Sequence, residues 1–523
     1  MIFVARLTIR EMRRILLTVG VVLIGASAAA LAPDIEPDHL LAHIKFLSSD
    51  EMKGRGNGSP ELERAAEYIA QAFGSAGLKP AGESGSWFQS FQLDAGLVVG
   101  RDNRLTIERD GKRVTLAPVT GYVPLAAPIN DNPAVPSVAF EKLPVVFAGY
   151  GLAVPSAGYD DYANVDANGK VVLIFTHEPQ EHDANSRFDG TRPLRQTTLE
   201  AKASLARRHG ARALLVVSDP THKTDDAPYA AFGAEAEAES EPIPVLRVRR
   251  EEMKPFIDAW GLDQLARQID KDLQPKSREL PGATVSYVEH LARNRRRVRN
   301  VVGVLAGSDS AKSREALVIG AHYDHVGLGG RLSVSPERTG EIHNGADDNA
   351  SGTAAIIEMA RLAAGQRSRF PRTLVFVAFA GEERGLLGSI HYTTTPALPM
   401  DDTIAMINLD MVGRANGSVD VSGLELSPSL EADLQAAGAA SGNQLRVRRE
   451  GPGAGRSDDS SFIARRVPAI NFFTGFHTDY HRPGDDWEKI DAPGVSRVAG
   501  LALEFAARIA ARNNRPEFVP PRR

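Results

Sequence analysis

The sequence predicts an α/β protein, a mostly parallel mixed sheet flanked by helices, with a second, smaller α/β unit inserted ahead of it. Three observations carry this expectation. From residue 299 onward, short apolar runs of strand length alternate with helical stretches, the pattern of a sheet covered on both faces. A shorter version of the same alternation occupies 137–257. At 523 residues the chain is too long for one core of ordinary size, so more than one domain is expected.

Taken in order, the first 32 residues read as an export signal. Arg6, Arg10, Arg13 and Arg14 precede an apolar run that begins at Ile15, and the small residues Ser27, Ala28, Ala29 and Ala30 suit a cleavage site. The competing reading is an uncleaved anchor, because 15–32 is just long enough to span a thin bilayer. The expected location is periplasmic or secreted, and membrane-anchored facing outward if the segment is retained. Residues 38–47 and 60–76 carry helical spacing of apolar residues, the latter with Ala65, Ala66, Ile69 and Phe73 on one face. Between them lies Gly54-Arg55-Gly56-Asn57-Gly58-Ser59. It lacks the Lys-Ser/Thr pair of a phosphate loop and reads as a connecting turn.

The expected division is 33–136 as the N-terminal part of the main domain, 137–257 as the inserted unit, and 258–523 as the main domain again. In the inserted unit, 145–149, 171–176 and 213–217 read as buried strands and 198–209 as a helix. The Ala/Glu-rich stretch 227–241 reads as a loop or a solvated helix without chemistry. Arg293, Arg295, Arg296, Arg297 and Arg299 read as a solvated edge leading into the main sheet. Its strands are expected at 300–305, 316–321, 373–380, 403–409 and 469–473, and helices at 351–364 and 495–512.

Composition narrows the chemistry. Hydrophobic residues make up 42% and charged residues 24%, ordinary for a globular protein. With 61 basic and 66 acidic residues the formal charge is -5, which gives no electrostatic reason for a nucleic-acid partner. There is no cysteine, so disulfides, thiolate-bound zinc and a thiol nucleophile are excluded. Any metal site must use His, Asp and Glu. Such residues stand at or just beyond strand ends (His322-Tyr323-Asp324-His325, Glu382-Glu383 and Asp410), just before the helix at 351 (Asp347-Asp348-Asn349), and in a later loop (Tyr480-His481 with Asp485). In a parallel sheet these ends share one edge, where ligands bind. So many acids repel one another without a cation. Two His with several carboxylates suit zinc, cobalt or manganese better than calcium or magnesium. Five donors exceed one tetrahedral zinc and suit two ions about 3.5–4 Å apart that share a carboxylate.

The motifs His322-x-Asp324, Gly345-Ala346-Asp347-Asp348-Asn349-Ala350-Ser351-Gly352, Gly381-Glu382-Glu383-x-Gly385, Asn408-Leu409-Asp410-Met411 and Tyr480-His481-x-Pro483-x-Asp485 occur in order. Together they resemble the metallopeptidase family of co-catalytic zinc aminopeptidases and glutamate carboxypeptidases, over about 300–491. The stretch 137–257 resembles the protease-associated domain that several members carry as an insert. The resemblance implies the zinc-exopeptidase fold, two Zn2+ ions (Co2+ or Mn2+ as substitutes) and peptide substrates. By position it implies that Asp347 bridges the metals, that His322 and Asp410 complete one site, and that Glu383 and His481 complete the other. It implies a cis Asp347–Asp348 bond and Asp324 as the partner orienting the His322 imidazole. Glu382 would be general base toward a metal-bridging hydroxide, and the Tyr480 hydroxyl would stabilise the oxyanion. His325, His343 and His477 are further histidines near these motifs, His477 an alternative to His481. Arg456-Ser457-Asp458-Asp459 reads either as pocket lining or as a capping turn. Singly, an Asp-Asp pair reads as a solvated turn and a strand histidine as structural; it is five motifs in order that carry the reading. An aminopeptidase is the leading expectation. A carboxypeptidase for acidic C-termini would need clustered arginines in its pocket, relatives that cyclise N-terminal glutamine use one zinc, and a binding protein on a dead core would have lost ligands.

Overall fold

The computed structural model describes residues 35–520 apart from 101, 119, 131, 133, 191–193, 222–238, 241, 331, 336–337, 442–444 and 449–454. The export-signal segment 1–32 and most of the Ala/Glu-rich stretch 227–241 lie outside the described residues. Among the described residues no helix is long and apolar enough to cross a membrane.

The chain divides into two units, one of Met1–Phe91 with Arg297–Arg523 and one of Gln92–Arg296. In the first, Thr373–Phe379, Ala316–His322, Thr403–Leu409 and Ala469–Phe473 lie side by side in that order, all parallel. Antiparallel strands flank this centre, Leu291–Leu305 on one side and Ser418–Ser422 on the other. Every residue of the first three central strands is buried. Burial on both faces is why these segments read as unbroken apolar runs and not as alternating ones.

The covering helices follow from their sequences. Pro37–Leu47 buries Leu40, Ile44 and Leu47, spaced as one helical face, each worth about 2 kcal/mol of burial. Pro60–Ser75 starts with proline in its first turn and with the Ser59 side chain accepting from Leu62 N, a capping arrangement that satisfies an otherwise orphaned donor. Gly352–Gly365 and Ala492–Ala511 bury most of their residues.

The second unit is larger than the sequence suggests. Its sheet runs Glu239–Ser240, Tyr122–Ala127, Val245–Val248, Ala213–Val217, Val171–Phe175, Val138–Phe147, Arg278–Glu289, Arg104–Arg109, Lys112–Leu116. Val171, Leu173 and Phe175 enter one apolar core and Val172 and Ile174 another, so this sheet too is covered on both faces. The stretches 92–136 and 258–296, expected in the main domain, belong here. The physical reason is pairing: Arg278–Glu289 hydrogen-bonds antiparallel to both Val138–Phe147 and Arg104–Arg109. The basic run lies in the strand Leu291–Leu305, where Arg295, Arg296 and Arg297 are exposed, the solvated edge that the sequence suggests. Within it, the Arg299 guanidinium lies 3.9 Å over the Phe88 ring and pairs with Glu63.

Candidate metal centre

The four central strands of the first unit point the same way, so His322, Glu382–Glu383, Asp410 and the segment leading to His481 emerge along one edge. His322 ends its strand; Asp410 directly follows Leu409. The structure brings His322, Glu383, Asp410 and His481 together around one further carboxylate, and that carboxylate is Asp348. Two donor groups share it: His322, Asp348 and Asp410 in one, and His325, Asp348, Glu383 and His481 in the other.

The distances are those of donors around a common cation. His322 Nε2 lies 3.3 Å from Asp348 Oδ1 and 3.3 Å from Asp410 Oδ1. His481 Nε2 lies 3.2 Å from Asp348 Oδ2 and 3.1 Å from Glu383 Oε2. Zinc bonds of about 2.0–2.1 Å meeting at a tetrahedral angle place donor atoms about 3.3–3.4 Å apart, so these residues fit the ion.

Both histidines are held in the tautomer that ligation needs. His322 Nδ1 donates to the Asp324 carbonyl at 3.1 Å, and His481 Nδ1 donates to the Leu332 carbonyl at 2.7 Å. Each Nε2 is left with its lone pair facing the carboxylates. Asp324 partners the His322 imidazole as expected, but through its backbone carbonyl. Its carboxylate sits 3.8 Å from His322 Nδ1, and instead accepts from the backbone N–H of Glu382 at 3.1 Å and of Glu383 at 3.3 Å. It therefore shapes the turn that carries the two glutamates.

The expected bridge, Asp347, is not in either group. Asp485 Oδ2 accepts from the N–H of Asp347 at 2.9 Å and of Asp348 at 3.1 Å, which fixes both backbones while their side chains diverge. Asp347 Oδ1 then accepts from Gly413 N at 2.5 Å, and Oδ2 lies 3.2 Å from His477 Nε2. The cis peptide is likewise one residue on, at Asp348–Asn349. His477 is thus a partner of Asp347 and not an alternative to His481. His343 lies just ahead of the Asp347–Asp348 pair, where its Nε2 meets Ser333 Oγ at 2.8 Å and Ser333 Oγ donates to the His481 carbonyl. His325 is a member of the second group that motif matching did not place. Its Nδ1 lies 2.8 Å from Glu383 Oε1. It stands beyond the strand end, where the two-residue alternation that places His322 no longer applies.

Glu382 lines the cavity over these donors together with Met411, Phe473, Phe476, Tyr480 and Arg456. Burial, with Glu383, Asp410 and Asp458 close by, raises its carboxyl well above the usual range, against an opposing pull from His322. Tyr480 stacks on His481 with ring centroids 3.9 Å apart, and Phe476, 60% exposed, packs edge-on against it. Ser457 also lines this cavity, whereas Asp459 accepts from Gly455 N and Ser457 N and caps its own turn.

Residues 300–506 match peptidase family M28 and residues 141–256 match the PA domain. The M28 match falls within the first unit and the PA match within the second. A protein named "Probable zinc metalloprotease" from Pyrenophora teres f. teres (strain 0-1) is 37% identical over 132 residues, 25% of this chain. This chain spans only 26% of that relative's length. Aminopeptidase YwaD of Bacillus subtilis (strain 168) is 24% identical over 385 residues, 71% of this chain and 70% of that protein. Among solved structures, the aminopeptidase from Aneurinibacillus sp. strain AM-1 is 22% identical with a TM-score of 0.51, covering 94% of this chain and 97% of that one. BSAP, a zinc aminopeptidase from Bacillus subtilis, is 20% identical with a TM-score of 0.50, covering 90% and 94%. These two likenesses concern the fold.

Proposed function

We propose that this chain is an exported aminopeptidase that uses two zinc ions to release N-terminal residues from peptides. The observation that carries the reading is the pair of donor groups sharing Asp348, with Glu382 facing the same cavity. His322, Asp348 and Asp410 would hold one ion; Asp348, Glu383 and His481 would hold the other, with His325 fixing the second oxygen of Glu383. When bound, the ions polarise the scissile carbonyl and acidify water. Glu382 takes the proton of the attacking water and returns it to the departing amine, a role suited to a carboxyl whose proton affinity is raised. Tyr480 offers its hydroxyl to the oxyanion. Relatives named as aminopeptidases support the substrate class, and the N-terminal pattern of 1–32 supports export. A pocket for acidic C-termini would need several arginines; among the described lining residues Arg456 is alone.

The test is hydrolysis of matched peptides with free and blocked N-termini, with and without chelator. Cleavage of the free set alone, lost on chelation and restored by zinc, is the expected result. Cleavage from the carboxyl end, or none by a zinc-loaded protein, would overturn the reading.

A further inference from the structure

We infer that Arg55 is a positioning residue for the metal centre, holding by its guanidinium fork the backbone that presents Asp348, His322 and His325. The inference rests on the metal reading above. Arg55 belongs to the glycine-rich turn that the sequence offers only as a connector. It is fully buried, and four of its N–H groups end on backbone carbonyls. Nε donates to Tyr323 O at 2.8 Å, Nη1 to Leu47 O at 2.5 Å and Asn344 O at 2.8 Å, and Nη2 to Gly345 O at 2.9 Å. Tyr323 lies between His322 and His325, and Asn344–Gly345 leads into Asp348, so one side chain ties together segments of both donor groups. The Arg55 carbonyl also accepts from His325 N.

The turn must approach closely to do this. A Cβ on Gly54 would lie 2.2 Å from His343 O and 2.5 Å from Gly327 O, and Gly54 has φ +65. Two residues past Arg55, Asn57 Nδ2 donates to Asp324 Oδ2 at 2.7 Å, the carboxylate that fixes the Glu382–Glu383 turn. Charge matters as well as reach. Burial lowers the Arg55 pKa to about 10, while Asp348, Asp324, Asp485 and Glu383 hold it up, so the cation persists behind the acidic cluster. Lysine would keep that charge but could not serve four carbonyls in divergent directions, because its ammonium is a single point with three donors.

The experiment compares the full chain with Arg55→Lys and Asn57→Ala, reading melting temperature, zinc affinity by chelator competition, and the visible spectrum of the cobalt-substituted protein. For Arg55→Lys the expected result is a retained fold, zinc binding about 10–100-fold weaker, and an altered cobalt spectrum. For Asn57→Ala it is a turnover about tenfold lower at unchanged KM, with a shifted cobalt spectrum. A folded Arg55→Lys that binds zinc and gives a cobalt spectrum like the wild type overturns the inference and leaves the metal reading intact. Should Arg55→Lys fail to fold, Asn57→Ala decides: a wild-type spectrum and turnover would sink the inference. A wild-type chain that binds no zinc removes the metal reading and this inference with it.

Discussion

Asp347 and Asp348 are chemically identical neighbours with different work, and Asp485 separates them. By accepting from both N–H groups it sets the two carboxylates on diverging paths, one toward Gly413 and His477, the other between two imidazoles. Asp348→Asn should therefore leave a folded protein with little zinc after dialysis, whereas Asp347→Asn should retain at least half its metal, both checked by elemental analysis. On the proposed mechanism, Glu382→Gln should keep its zinc and lose about 10²–10⁴-fold in kcat, since it would remove the proton carrier and no donor. Equal zinc loss in both aspartate variants would show that the bridge has been assigned to the wrong residue. The Asp-Asp pair was legible in the sequence as a metal motif, but which member faces the donors is decided by a carboxylate far downstream. Residue type and spacing carry no trace of that.

Helices and strands were legible to the degree that their own residues determine them. Uniform apolar runs mark the central strands because both faces are covered. Arg278–Glu289 escaped notice because half of it faces outward and its partners lie more than a hundred residues earlier in the chain. Helix Gly352–Gly365 carries a feature no periodicity suggests, the buried Glu358 that meets Arg361 Nη2 at 2.8 Å and His43 Nε2 of helix Pro37–Leu47 at 3.4 Å. Burial works against its charge, yet bonds from His43 and Arg361 bring its pKa from 4.5 down to about 2. A depressed carboxyl stabilises the fold fully above its unfolded value and loses that contribution as pH falls through the folded one. Glu358→Gln should thus cost about 1–2 kcal/mol near neutral pH in urea unfolding, with the difference fading between about pH 4.5 and 2. A constant difference across that range would mean the carboxylate charge is not what joins the helices.

At the scale of the molecule, all the donors belong to the unit of Met1–Phe91 and Arg297–Arg523, while the unit of Gln92–Arg296 has its own sheet and its own two cores. A fragment of 92–296 should therefore unfold in one cooperative transition and compete with no chelator for zinc. Loss of cooperativity in that fragment would mean its cores need the rest of the chain. The five ordered motifs were legible because their chemistry is local, His322, Glu382–Glu383 and Asp410 standing at or just past strand ends. The extent of the second unit was not, since it depends on pairing between distant segments.

The donors are strung along the chain from His322 to His481, and no two neighbouring strands supply a complete set. A chain emerging from its ribosome in that order would have every strand of this sheet synthesised, Ala469–Phe473 the last of them, before His481 exists. Hydrolytic competence would then arrive last, as an event in time: the growing polypeptide would be chemically silent until nearly finished. A product truncated ahead of His481 would keep His322, Asp348 and Asp410, and so hold every strand of the sheet while its second donor group, His325, Asp348 and Glu383, is short of one imidazole.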